Sequence, residues 1–180
     1  MAERTSVRSK QIEFVESSDV TRAAEEMLDR ALQFGMAKAR QGSRDAVVAA
    51  LRAGDTVVGG YFYYSLARSA GEYLGTWDRD VKAVYTFDDE ATPEDDCFAE
   101  KRYPLVHLIV CVERKTAALS ALAGTLDRAL AEQVGNLLGQ QQRQYMLDVQ
   151  IVDSGEIANR TGYGAILASM RPHAMQVWGQ

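Results

Sequence analysis

Val81-Lys82-Ala83-Val84-Tyr85-Thr86-Phe87 and, past an acidic stretch, Leu105-Val106-His107-Leu108-Ile109-Val110-Cys111-Val112 read as a pair of β-strands. The first is rich in β-branched and aromatic residues and is closed by Asp88-Asp89. The second is an almost continuous apolar run, which a central strand needs when both its faces are covered. Between them, Asp88 to Asp96 carries six acids and no base around Pro93 and reads as a solvated loop. So short and acidic a connection holds no crossover helix, so the two strands are expected to be antiparallel neighbours.

Downstream, Thr116 is placed to cap a helix whose apolar stripe is Leu119, Leu122, Ala123, Leu126, Leu130, Val134, Leu137 and Leu138, with Gly139 as its stop. Gln140 to Gln144 reads as a polar connector, and Met146 to Val152 as a third strand, parallel to one of the first two because a helix precedes it. The tail from Gly155 to Gln180 is expected to finish in a short helix anchored by Trp178.

Upstream, Ser18-Asp19 is a capping pair before Val20, Ala23, Ala24, Met27, Leu28, Ala31 and Leu32, a one-sided helical spacing that Gly42 ends. A second helix spans Arg44 to Ala53 before Gly54. Val57 to Leu74 mixes small and aromatic residues, as in a helix packed closely on others, with Gly75 expected past its end. Met1 to Ser17 has no clear period and reads as an arm or, at Ile12 to Val15, a ragged strand. The expected fold class is therefore α/β (α+β): a mixed β-sheet with helices packed on it and an N-terminal helical segment. Residues 1–18 form the arm, and 19–180 a single domain.

Composition agrees with one globular domain: 180 residues, 47% hydrophobic and 25% charged. A net charge of −5 disfavours a sequence-neutral grip on nucleic acid. No apolar run approaches the ~20 residues of a membrane helix. Met1 to Lys10 is polar and basic, unlike a secretory signal, so a cytoplasmic location is expected. Cys97 and Cys111 complete neither a disulfide framework nor a zinc site.

For chemistry, the first candidate is Asp78-Arg79-Asp80-Val81. Residues two apart on a strand share a face, so both carboxylates would sit at the strand's leading edge, where a divalent cation relieves their repulsion. The structural alternative is a turn that solvates the start of the strand. Asp148 supplies a third carboxylate if its strand lies alongside.

Gly59-Gly60, the helical stretch from Tyr61 to Trp77, the Asp78-Arg79-Asp80-Val81 strand opening and the later Leu147-Asp148-Val149 resemble, in their order, the nucleotidyltransferases of the DNA polymerase β superfamily. Tyr64-Ser65-Leu66-Ala67-Arg68-Ser69-Ala70-Gly71 resembles that family's Gly-Ser-x-Ala-Arg-Gly segment, with Tyr64 at the glycine position, and Arg79 replaces a hydrophobic residue between the aspartates. The resemblance covers Val57 to Asp153 and implies a nucleotidyltransferase-like fold. It also implies Mg²⁺-dependent transfer of a nucleotidyl group to an acceptor, or a catalytically inactive relative. Asp78 and Asp80 would hold Mg²⁺, Asp148 would assist the attacking group, and Gly59, Gly60, Ser65 and Arg68 would steady a nucleoside triphosphate.

A rival expectation is a non-catalytic, homodimeric scaffold that uses Tyr61-Phe62-Tyr63-Tyr64 or the acidic loop as its contact surface. Four consecutive aromatics on a helix point in all directions, so at least one should be exposed. His107 reads as a core or face histidine with one partner, and Cys111 as a small buried hydrophobe. His173 has no visible partner, and the acids before Cys97 raise its pKa rather than activate it. Lys101-Arg102 and Glu113-Arg114-Lys115 mark the ends of the apolar strand. They also offer a phosphate site at the helix opening at Thr116.

Overall fold

The computed structural model describes residues 2–87, 103–170 and 174–179, with side chains described from Ser18 onward except at Met170. The acidic loop, Cys97, Lys101, Arg102, Pro172 and His173 lie outside the described residues. Helix α1 (Ala2–Lys38) is followed by α2 (Arg44–Arg52), α3 (Thr56–Trp77), strands β1 (Val81–Phe87) and β2 (Val106–Val112), and α4 (Ala117–Leu138). Then come β3 (Leu147–Asp153), α5 (Ser154–Asn159), α6 (Gly162–Met170) and β4 (Met175–Gly179). Among the described residues, no helix is long and apolar enough to cross a membrane.

Among the described residues the sheet has four strands, in the order β3-β2-β1-β4. β1 is antiparallel to β2 and β4, and β2 is parallel to β3 across the α4 crossover, so the sheet is mixed as expected. Alternation along β2 divides the interior. Val106, Leu108, Val110 and Val112 face the large core under α1, α3 and α4, while Ile109 and Cys111 join Ala83, Val152 and Leu167 on the other face. A register shift between Val81 and Ala83 lets Val81 and Val84, three apart, reach the same core.

The helices follow their stripes. Val20, Ala24, Met27, Leu28, Ala31 and Leu32 are buried on α1, and all eight residues of the α4 stripe are buried or half-buried. Ser43, Asp55 and Thr116 cap α2, α3 and α4 through their side-chain oxygens. Gly139 closes α4 with a left-handed backbone, φ 69°. Asp127 on α4 accepts the backbone N–H groups of Met146 and Leu147, each at 2.7 Å, and so pins the start of β3 to the helix. Its desolvation outweighs those bonds and raises its pKa.

Three expectations are corrected. The stretch read as an arm or ragged strand continues α1, so Ser18 and Asp19 are interior to that helix rather than its cap. Gly75 lies inside α3, and the chain finishes on a strand, β4, instead of a helix. These last two share one cause. A Cβ on Gly75 would lie 2.4 Å from the Trp178 ring, and one on Gly71 would lie 2.9 Å from Val177. The glycines clear a trough in which β4 packs, and a register shift between Val84 and Tyr85 lets the adjacent Val177 and Trp178 both pack on the large core. Trp178 is thus an anchor, as expected, but from a strand.

Gly75→Ala is expected to lower the unfolding free energy by about 1–3 kcal/mol through overpacking on Trp178. Gly124→Ala, whose Cβ would meet nothing within 4 Å, should raise it by roughly 0.5–1 kcal/mol. Urea midpoints at constant m-value read both. Cys111 is buried, and desolvation pushes its thiol up to about 11. In a Cys97→Ser background, Cys111 should therefore resist Ellman's reagent at pH 8 until the protein is denatured.

Candidate functional site

The sheet has two ends, and its register assigns the expected site residues to one or the other. At one end, Val81 faces Val112, and the backbone carbonyl of Asp80 accepts the N–H of Glu113 at 2.9 Å. At the other, Phe87 faces His107, and His107 is in register with Asp148. The rise along β2 between Val112 and His107 is about 17 Å. Asp148 therefore does not join Asp78 and Asp80, and the expected meeting of three carboxylates at one edge does not occur.

Asp78 ends α3, and its Oδ1 accepts the backbone N–H of Asp80 at 2.9 Å, a turn that closes on itself between helix and strand. Asp80 Oδ2 lies 4.0 Å from Arg114 Nη2. One carboxylate is thus committed to its own turn and the other faces a cation. Among the described residues, no three His, Cys, Asp or Glu side chains converge as a divalent ion would require. This pair does not fit the Mg²⁺ clamp. Lys115 bonds Glu156 at 2.8 Å and Lys82 bonds Glu113 at 3.1 Å, so the charges around β2's exit and α4's start engage one another.

The residues expected to steady a triphosphate lie along α3, which runs back past the sheet. Gly60 and Asp78 are separated by about 27 Å of helix, and Ser65 and Asp78 by about 20 Å. Ser65 and Arg68 line a shallow recess against α1 with Arg30, Gln33 and Glu72. Gly59 is buried, and Gly60 opens onto a larger groove.

That groove, about 890 Å³, lies where α3 begins, β1 ends and β2 starts. Phe34 of α1, Tyr61, Tyr63 and Tyr64 of α3, and Phe87 of β1 line it together with His107 and Met175. The aromatic run of α3 divides as a helix demands: Phe62 is fully buried, Tyr63 and Tyr64 are half-buried, and Tyr61 is exposed. Phe34 makes edge contact with Tyr61 at 5.9 Å between centroids and lies 6.0 Å from Tyr64.

His107 is half-buried and pairs with Asp148. Its Nδ1 lies 3.0 Å from Asp148 Oδ2, and its ring stacks on Phe87 at 5.2 Å and 22°. Gln150 Nε2 donates to Asp148 Oδ1 at 2.7 Å, so the carboxylate beside the imidazole is itself held. Asp148 thus contacts the His107 ring, a pairing its sequence position did not disclose. His107 and Asp148 lie far apart along the chain and meet only through the parallel register of β2 and β3.

One further residue escaped the sequence reading. Arg143, in the connector read as polar and exposed, is only 7% exposed. Its Nε donates to Gln140 Oε1 at 2.8 Å, and Nη1 donates to the carbonyls of Pro104 at 2.9 Å and Tyr145 at 3.3 Å. The Tyr103 ring lies over its guanidinium at 4.9 Å. Burial raises the pKa of Tyr63 and lowers that of Arg143, while each opposes the shift of the other. Comparison with protein-family models, curated proteins and solved structures found no match to this chain.

Proposed function

We propose that the protein binds a planar, ring-bearing small molecule in the groove between α1, α3 and the adjoining end of the sheet. One observation supports this: Phe34, Tyr61, Tyr63 and Tyr64 line one open groove of about 890 Å³, with Phe87 and His107 at its sheet end. Aromatic walls take a flat ring at little cost in conformational entropy, and a few fixed polar groups set its orientation. The phenols of Tyr61 and Tyr64 are the polar groups on that wall for a heteroatom on the ring. A nucleobase belongs to this class, so a nucleoside triphosphate stays among the proposed ligands. Metal-dependent nucleotidyl transfer is the less favoured activity, because the carboxylate pair it needs lies at the far end of the sheet.

A second reading has its own observation. Val57, Met175 and Leu105, 62%, 53% and 40% exposed, rim the groove and would favour self-association across it. Sedimentation velocity across a concentration series separates the two. Ligand binding alone leaves a constant monomer, whereas association shifts the boundary and is lost in Val57→Ser.

Isothermal titration with adenosine and with indole-3-carboxamide tests the first reading. Binding is expected, and Tyr64→Ala should weaken it about tenfold or more. Ser120→Ala, exposed on the first turn of α4 at the far end of the sheet, should leave it unchanged. ATP should bind equally with and without Mg²⁺, and Asp80→Ala should not alter it. Absence of binding by all of these probes would overturn the groove reading. Mg²⁺-dependent ATP binding abolished by Asp80→Ala would restore the carboxylate pair as the site.

A further inference from the structure

Arg143 is the anomaly of the interior. It is more than nine-tenths buried, and among the described residues no carboxylate lies within ion-pair distance of it. A guanidinium has five N–H donors. Nε is taken by Gln140, and Nη1 by the carbonyls of Pro104 and Tyr145, with Met146 Sδ at 3.3 Å. The face of the group is covered by Tyr103. Nη2, shut away from solvent, has no hydrogen-bond partner.

A buried cation with neither counter-ion nor a full set of acceptors is strongly penalised, and proteins retain one where an anion completes it. Neutral carbonyls satisfy part of the fork but do not neutralise its charge. A ring stacked over a guanidinium leaves the in-plane N–H edge available, the edge that binds carboxylate or phosphate oxygens. Arg143 itself lines a smaller recess between α4 and the connector, with Gln140 and Gly135, and two of its neighbours belong to the groove. Pro104, whose carbonyl holds Nη1, lines it, and so does Tyr63, whose phenol lies close enough for each group to favour the charged form of the other.

We propose that Arg143 is the receptor for an oxyanion group, carboxylate or phosphate, carried by the ring-bearing ligand of the groove. The inference rests on the groove reading and narrows its ligand to planar acids. Entry requires one of two half-buried rings, Tyr63 or Tyr103, to swing aside, so that the oxyanion meets Nη2 while the ring stays among the aromatics of α1 and α3.

The test pairs each acid with an uncharged partner: indole-3-carboxylate against indole-3-carboxamide, and adenosine 5′-monophosphate against adenosine. The wild-type protein should prefer at least one acid by about tenfold, the scale of a charge-assisted hydrogen bond. The pair that shows the preference tells carboxylate from phosphate. In Arg143→Met the preference should vanish while affinity for the uncharged partner is kept, which a merely structural arginine would not produce. Arg143→Lys, which retains the charge but not the fork, should keep part of it. Should the methionine variant not fold, the ¹⁵N guanidinium resonance of Arg143 in the wild type serves instead, shifting with the preferred acid and not with its neutral partner. Equal affinity for acid and neutral compound, or an Arg143 resonance that never moves, overturns the assignment and leaves the groove reading standing. If no compound of either pair binds, the groove reading falls and the Arg143 assignment falls with it.

Discussion

Strand β2 is the constraint on which the other elements depend. It is apolar on both faces and paired along both edges, so its backbone groups are satisfied only with β1 antiparallel on one side and β3 parallel on the other. An antiparallel partner is reached by a loop. A parallel partner requires a crossover, and α4 supplies it, which fixes that helix on the same face as α1 and α3. Once β2 is placed, both ends of the sheet are defined and every candidate residue is assigned to one of them.

The glycines of α3 apply a second constraint. Gly71 and Gly75 remove the side chains that would keep β4 off the sheet, and Val177 and Trp178 fill the space. Trp178 closes the C-terminal end of α3, and the groove lies at the other end, by its first turns. The groove opens there, among Gly60, Tyr61 and Tyr64.

Much of the candidate site could not be read from the chain because its residues meet through register. His107 was readable as a core or face histidine, yet only the β2–β3 pairing brings Asp148 to it. The Asp78-x-Asp80 spacing invited a metal site. The same spacing serves an Asx turn, and the long helix before it carries Gly59 and Gly60 far from the pair. Arg143 was hidden by its neighbours: a glutamine-rich connector reads as solvated, and nothing local marks one arginine in it as interior. Its burial comes from Pro104 and Tyr103, which precede it by most of a strand, a helix and a loop.

By itself the sequence determined most of the elements from α1's apolar stripe to β3, and the faces they bury. The cap at Thr116, the stop at Gly139 and the apolar spacing of α1 and α4 act within a few residues, and such short-range terms are legible in order along a chain. It also pointed to an antiparallel pairing of β1 and β2, since the acidic residues between them read as holding no crossover helix. Tertiary structure alone decided that the tail is a strand, since β4 forms only where α3 presents its glycine trough and β1 a free edge. It alone decided, too, which acids, rings and cations share a neighbourhood. Those distances are sums over pleats and helix turns, so one residue of register carries a carboxylate from one partner to another, and no local pattern records where it lands.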